Sequence, residues 1–402
     1  MKRSPEELFL LEFVKCCFGN GDFPTLEQHL SQTSWENILP VITAHELQAL
    51  VYSRLKEGIL PVKPPIEVLS HLRSYTTQIS MHNLIGESEG SRVISRLQEK
   101  EIFFLLLKGV PLMEMIYGQS WMRPASDVDI LIHPADYSRV ESLLLKDGFV
   151  HVVPEGFQDR TEDFLIIQKD FGEMHFFKPT SSLLFNLDVH WRVSGLSTQS
   201  PLLTLFPIDT YPWLTNPGRG RFGRLSVPRL NNEMLFFHLV FHFALHHHLR
   251  GLRTFLDLCS FCSQYGESLD GDFLRHVVPE ENCRKIVTLV LMFVRKYTGK
   301  DLTLHFLPPS PPPLHLLPGE KRWYAQQLLV QENTVMRYLT LFLYPVKWRD
   351  KWIIVKYCLF HPDSLPRRWK HLPTRGFSPI TYPFFILSHL LREKKKKKSG
   401  DK

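Results

Sequence analysis

The chain has 402 residues, 44% of them hydrophobic and 22% charged, enough for two or three packed units and too apolar for disorder throughout. Its six scattered cysteines form no disulfide framework, which points to a reducing cytoplasm. Of the net charge of +7, five positive charges are the run Lys394–Lys398, read as a solvated tail, so the nearly balanced remainder gives little support to nucleic-acid binding.

The N-terminus carries no secretory pattern: the apolar stretch Leu8–Val14 runs into Lys15 without a small-residue cleavage site. No apolar run approaches the roughly 18 residues of a membrane-spanning helix. The first hundred residues read as helical. Ser4 is placed to cap a helix with Pro5 in its first turn, Ser34-Trp35-Glu36-Asn37 opens a second helical segment through Leu55, and Pro64-Pro65 introduces a third. From Ile66 to about Lys100 the apolar spacing predicts one long helix or a broken pair.

The texture then changes. Ile102–Leu107 is a continuous apolar run ending at Lys108-Gly109, as a buried strand does, and Val128–Ile132 is apolar except for Asp129. Tyr137–Lys146 reads as a helix closed by Asp147-Gly148, and Phe164–Gln168, His175–Phe177 and Leu183–Val193 as further strands. Strands and helices intermixed over this stretch predict a compact sheet domain. A Pro/Gly-rich connector is expected around Pro212–Pro228, followed by helices over Asn231–Leu249, Thr254–Tyr265 and Asn282–Tyr297. Leu307–Pro318 reads as a proline-rich linker, and Lys321–Leu391 as aromatic-rich and mostly helical, broken at Pro345 and Pro362.

Three segments carry the chemistry: Leu107-Lys108-Gly109, Arg123-Pro124-Ala125-Ser126-Asp127-Val128-Asp129-Ile130-Leu131, and Asn186-Leu187-Asp188-Val189-His190-Trp191. On a strand, alternate side chains share a face, so Asp127 and Asp129 project together. Paired carboxylates repel unless a cation sits between them, and hard oxygen ligands suit Mg²⁺ or Mn²⁺. If the Asp188 strand is a neighbour, three acids converge. Such a set can hold two divalent ions, one clamping a triphosphate and the other lowering the pKa of an acceptor hydroxyl for in-line attack. Solvent-facing acids on an edge strand are the bland alternative for the D-x-D pair alone.

These motifs resemble the DNA polymerase β-like nucleotidyltransferase superfamily, and more narrowly a bacterial family of uncharacterised nucleotidyltransferases. The likeness covers about residues 100–195 and extends less sharply to the helix with His238, His242, Arg253 and Asp257. It implies an α+β fold, a mixed sheet domain flanked by helical regions. It also implies Asp127, Asp129 and Asp188 as metal-binding catalytic acids, and nucleotide contacts from Lys108, Gly109, Arg123 and Ser126. His190 and His242 are candidates for the acceptor side. The small residue that follows the glycine in the superfamily is Val110 here, which offers no hydroxyl to a phosphate. The expected division is a helical region at 1–100, the sheet domain at 101–228, a helical region over the active site at 229–306, a C-terminal helical region at 319–392 and a basic tail at 393–402.

His238, His242 and His246 recur every four residues and share a helical face, read as lining the acceptor side of the cleft, with zinc binding as the rival. Arg253 and Asp257, four apart, are spaced for an intrahelical ion pair. Cys259 and Cys262, three apart on an apolar helix, are expected to pack as core residues rather than bind zinc. Trp323, Trp348, Trp352 and Trp369 with Arg349, Lys351, Arg367 and Arg368 keep RNA as a minority acceptor. The reading that follows is transfer of a nucleoside monophosphate from an NTP, such as ATP, to a small molecule, sugar, protein or RNA. The alternatives are an inactive nucleotide- or metal-binding module and a scaffold that meets anionic surfaces through its Lys394–Lys398 tail.

Overall fold

The computed structural model describes residues 3–60, 62–125, 127–151, 172–180, 184–194, 202–278, 280–306, 320–329 and 334–360. The expected strand Phe164–Gln168, the linker Leu307–Pro318, Trp369 with its neighbouring arginines, and the lysine tail lie outside these residues.

The N-terminal helix spans Pro5–Cys17, and Ser4 caps it reciprocally: its hydroxyl accepts the Glu7 N–H at 3.3 Å while Glu7 Oε2 accepts the Ser4 N–H at 3.2 Å. An additional short helix, Phe23–Ser31, starts where the Asp22 carboxylate accepts the Thr25 N–H. The helical segment expected through Leu55 is two helices, Trp35–Ala44 and Gln48–Lys56, because Glu46 takes a left-handed φ of +55° between them. Ile66–Glu99 is one continuous helix of 34 residues.

Seven strands then form a single mixed sheet: β1 (Phe104–Lys108), β2 (Val128–Ile132), β3 (Val150–His151), β4 (Glu173–Pro179), β5 (Leu184–His190), β6 (Gly218–Phe222) and β7 (Leu225–Arg229). Their order is β3-β4-β5-β2-β1-β7-β6, with β2 parallel to β5, β1 parallel to β7, and the other neighbours antiparallel. The expected Pro/Gly-rich connector is therefore partly a hairpin that extends the sheet. Gly223 turns it at a φ of +57°, and the alternation of its strands is masked by Gly218, Gly220 and Pro228.

Both sheet faces are covered, which explains why β1 and β2 read as nearly unbroken apolar runs. Phe104, Leu106, Val128, Ile130, Leu187 and Val189 pack on one side against Val93, Ile94 and Leu97 of the long helix and against Tyr137, Val140 and Leu144 of the Tyr137–Lys146 helix. On the other side Leu105, Leu107 and Leu131 join a larger core. That core includes Phe9 and Phe13 of the first helix as well as Phe255, Leu289 and Val290 of helices that follow the sheet. Helices from both ends of the sequence thus share one core over one face, each fully buried Leu or Phe contributing about 1.5–3 kcal/mol.

After the sheet the expected Asn231–Leu249 helix is interrupted. Asn232–Phe241 is α-helical and His242–His246 is a π turn. His248 and Leu249 take left-handed φ angles before the next helix, Leu252–Tyr265. Glu281–Thr298 packs behind both, and Cys259 and Cys262 are fully buried core residues, as their spacing predicts. Helices Glu320–Gln327, Thr334–Leu343 and Trp348–Phe360 follow, with Trp323 against the core and Trp348 and Trp352 exposed. Among the described residues no helix is long and apolar enough to cross a membrane.

Candidate active site

The acids meet because of strand pairing. Strands β2 and β5 run side by side in parallel with Asp129 directly opposite Asp188. Their alternate neighbours Val128, Ile130, Leu187 and Val189 are buried on one face, so Asp129, Asp188 and His190 are driven to the other. Lys108 joins them through an irregularity. Pairing of β1 with β2 runs Leu105 to Leu131 and Leu106 to Ile130, then slips so that Lys108, not Leu107, stands opposite Asp129. This extra residue is a bulge, and it turns the ammonium toward the acids instead of the core that simple alternation would give it.

Gly109 follows at a φ of +90°, and a Cβ there would sit 3.0 Å from the Asp127 carbonyl oxygen. Backbone conformation and close approach to the acid-bearing segment both call for glycine. Gly109 also caps the Val110–Tyr117 helix.

Asp129 is wholly buried. Its Oδ1 accepts from Lys108 Nζ at 3.2 Å and from His190 Nε2 at 3.0 Å. Burial opposes its charge, but the lysine and imidazolium prevail and hold its carboxyl well below the usual range. His190 is 7% exposed, with Nδ1 3.0 Å from Glu173 Oε2. Burial favours its neutral form, yet the two carboxylates raise it to about 10, while Glu173, against its own burial, is lowered to about 2 by His190. Asp127 moves the other way, raised by burial and by repulsion from Asp129. Asp188 Oδ1 accepts from His175 Nδ1 at 2.7 Å.

Glu173 and His175 are neighbours of the cluster that the three motifs do not contain. The signal was present in a different form: Glu-Met-His on β4 pairs antiparallel with Asp-Val-His on β5, so Glu173 faces His190 and His175 faces Asp188. Only knowledge of the pairing makes that pattern readable.

Arg123, expected at a phosphate, has its buried guanidinium paired with Asp257, Nε to Oδ2 at 2.8 Å, and the Tyr117 hydroxyl donates to the same carboxylate at 2.9 Å. The intrahelical pair expected between Arg253 and Asp257 is not formed, since Arg253 turns outward to Glu46. Arg123 instead ties the segment leading into Asp127 to the Leu252–Tyr265 helix. Asn83 on the long helix holds the same segment, donating to the Arg123 carbonyl at 2.8 Å and accepting from the Ala125 N–H at 3.2 Å. Ser126 lies outside the described residues.

The histidine face closes over this end of the sheet. Lys108 Nζ lies 3.4 Å from His242 Nε2, and a pocket between them is lined by Lys108, Glu173, His190, His238, His242 and His246. His190 lines the same pocket and is held on both ring nitrogens by carboxylates, Asp129 and Glu173. Burial, reinforced by Lys108 and neighbouring imidazoles, lowers His238 to about 3 and keeps His242 well below the ordinary histidine value.

One observation bears on a metal. Asp129 Oδ2 is buried and meets no hydrogen-bond donor among the described residues, an expensive arrangement unless a cation completes it. Ligand atoms of Asp129, Asp188 and His190 lie within 4.8 Å of one another, with Asp127 outside that grouping. The donor set is carboxylate-rich and suits a hard divalent ion.

A mixed sheet carrying clustered aspartates beside a Lys-Gly turn, roofed by helices, marks an α+β protein. The chain belongs to the uncharacterised nucleotidyltransferase family, whose model matches residues 31–299. Neither the comparison with curated proteins nor that with solved structures finds a match.

Proposed function

We propose that this chain transfers a nucleoside monophosphate from an NTP to a hydroxyl acceptor, on a sheet domain of the DNA polymerase β-like kind and of the bacterial branch its motifs resemble. The observation that carries the reading is the cross-strand pair Asp129–Asp188, with a buried carboxylate oxygen that no donor among the described residues satisfies. Asp127, Asp129 and Asp188 would hold Mg²⁺ or Mn²⁺, which when bound neutralises triphosphate charge and lowers the pKa of an acceptor hydroxyl, two ions sharing these tasks.

The remaining residues act around that centre. Glu173 orients His190, and His190 fixes the rotamer of Asp129. Lys108, beside the Gly109 turn, is placed to meet phosphate charge. Arg123 serves by positioning the segment that carries Asp127, through Asp257 and Tyr117. The face bearing His242 covers the cleft against water, which disfavours hydrolysis of the NTP in place of transfer. The acceptor class, whether small molecule, sugar, protein or RNA, is read best from labelled products.

One observation favours an inactive binding module. Lys108 and His190 already neutralise Asp129, as though the protein supplied the cations itself. The two readings separate by experiment. Mg²⁺-dependent binding of NTP should be lost in Asp127→Asn and in Asp129→Asn. Asp188→Asn should keep most nucleotide affinity and lose transfer of label from NTP to an acceptor in cell extract. Unaltered metal-dependent binding in both of the first two variants overturns the site. NTP binding by the native chain without any labelled product supports the inactive module.

A further inference from the structure

The proposed reaction leaves His246 and His247 without a task. On an unbroken α-helix His246 sits one turn from His242, and His247 falls away from that face. Here the turn is π-helical, with the His247 N–H donating to the His242 carbonyl at 3.1 Å. The wider turn swings His247 back toward His242 while leaving His246 close. The His242 and His246 rings lie 5.0 Å apart and nearly parallel at 11°. The His247 ring stands 4.6 Å from His242 and 5.0 Å from His246, steeply inclined to both. One ligand nitrogen from each of the three lies within 4.8 Å of the others. π turns are rare and concentrate at functional sites.

We propose that His242, His246 and His247 form a second metal site, specific for a borderline divalent ion such as Zn²⁺ and distinct from the carboxylate centre. Imidazole nitrogen favours Zn²⁺ or Co²⁺ over Mg²⁺, whereas the carboxylates opposite have the reverse preference. Three protein ligands leave a coordination position open, and His246 is exposed, so the site has an entry path. Lys108 is the competing cation, donating to His242 Nε2 at 3.4 Å and to Asp129 Oδ1 at 3.2 Å. An ion that takes the His242 lone pair leaves Lys108 to Asp129, so the two centres communicate through one ammonium group.

The test is a Co²⁺ titration of the chelator-treated full chain in excess Mg²⁺, followed by its ligand-field absorption and by displacement with Zn²⁺. One equivalent of Co²⁺ is expected. The double variant His246→Ala/His247→Ala should weaken it at least about 10–100-fold, the loss typical even for outer-shell partners of a metal. His246→Gln, at an exposed position that the fold tolerates, should weaken it in the same direction if the double variant does not fold. Asp129→Asn should still take up one equivalent of Co²⁺, less tightly because Lys108 is released toward His242, while losing Mg²⁺-dependent NTP binding, so failure of either centre is seen separately. Absence of a bound equivalent, equal affinity in the histidine variants, or loss only in Asp129→Asn overturns the proposal.

Discussion

Histidine is used in opposite ways on the two sides of Lys108. Beside the acids, His190 is buried yet held charged, raised to about 10 by Asp129 and Glu173. In the roof, His238 and His247 are held neutral, each lowered to about 3 by burial and by positive or imidazole neighbours. Burial pushes both groups toward neutrality, so burial does not decide. What decides is whether carboxylates stand close enough to overcome it, as Asp129 and Glu173 do at 3.0 Å from His190. The sheet end is a charge-paired cluster that keeps Asp129 and Glu173 ionised, whereas His238, His242 and His247 of the roof are held neutral.

The strongest way to break the comparison is to remove the carboxylate that holds it together. Repulsion among acids alone predicts that neutralising any one of them is harmless to the fold. The structure divides them. Asp129→Asn strands the charges of Lys108 and His190, and a cost of about 3–5 kcal/mol is expected for breaking such a buried pair. Asp127→Asn relieves repulsion that already raises the Asp127 carboxyl, and should leave stability unchanged or slightly higher. Urea denaturation of both variants in chelator checks this, and equal destabilisation would refute the division.

A second measurement sharpens it through pH. For His190, raised from 6.5 to about 10, the native state keeps a proton that the unfolded chain loses. Its contribution is full below pH 6.5 and fades as pH rises toward 10. For His238 and His247, lowered from 6.5 to about 3, the unfolded chain gains protons first. Their contribution is full above pH 6.5 and fades as pH falls toward 3. Melting temperatures in chelator should therefore flatten on the alkaline side in His190→Gln and on the acid side in His247→Gln. The same limb changing in both variants contradicts the opposite protonation states.

The smallest effect is expected from the tail. Deleting residues after Arg392 should leave the melting temperature and NTP binding unchanged, and should reduce only sedimentation with anionic vesicles, to which a lysine run is drawn. A fall in melting temperature would show that the tail packs on the fold.

Several features were legible in the chain itself, for local reasons. The cap at Ser4 depends on residues within one turn, the strand Val128–Ile132 on a run apolar except for Asp129, and the places of Asp129 and Asp188 on strands on their position within such runs. The CxxC pair was readable as core because it lies among the apolar residues Leu256, Leu258 and Phe261 of its helix. Other features depend on which elements meet. Alternation along β1 puts Lys108 on the wrong face, and only the slip against β2 turns it to Asp129. Glu173 and His175 gain meaning only from the antiparallel register with β5, and Arg123 finds its partner in Asp257, which arrives from a helix more than a hundred residues away. The π turn is likewise invisible in a four-residue histidine spacing, which looks the same on a regular helix. Sequence fixes side-chain chemistry and local periodicity, because both are carried by neighbours along the chain. Register, bulges and long-range ion pairs are set by packing between distant segments, so the partners of each charge were decided only in the folded structure.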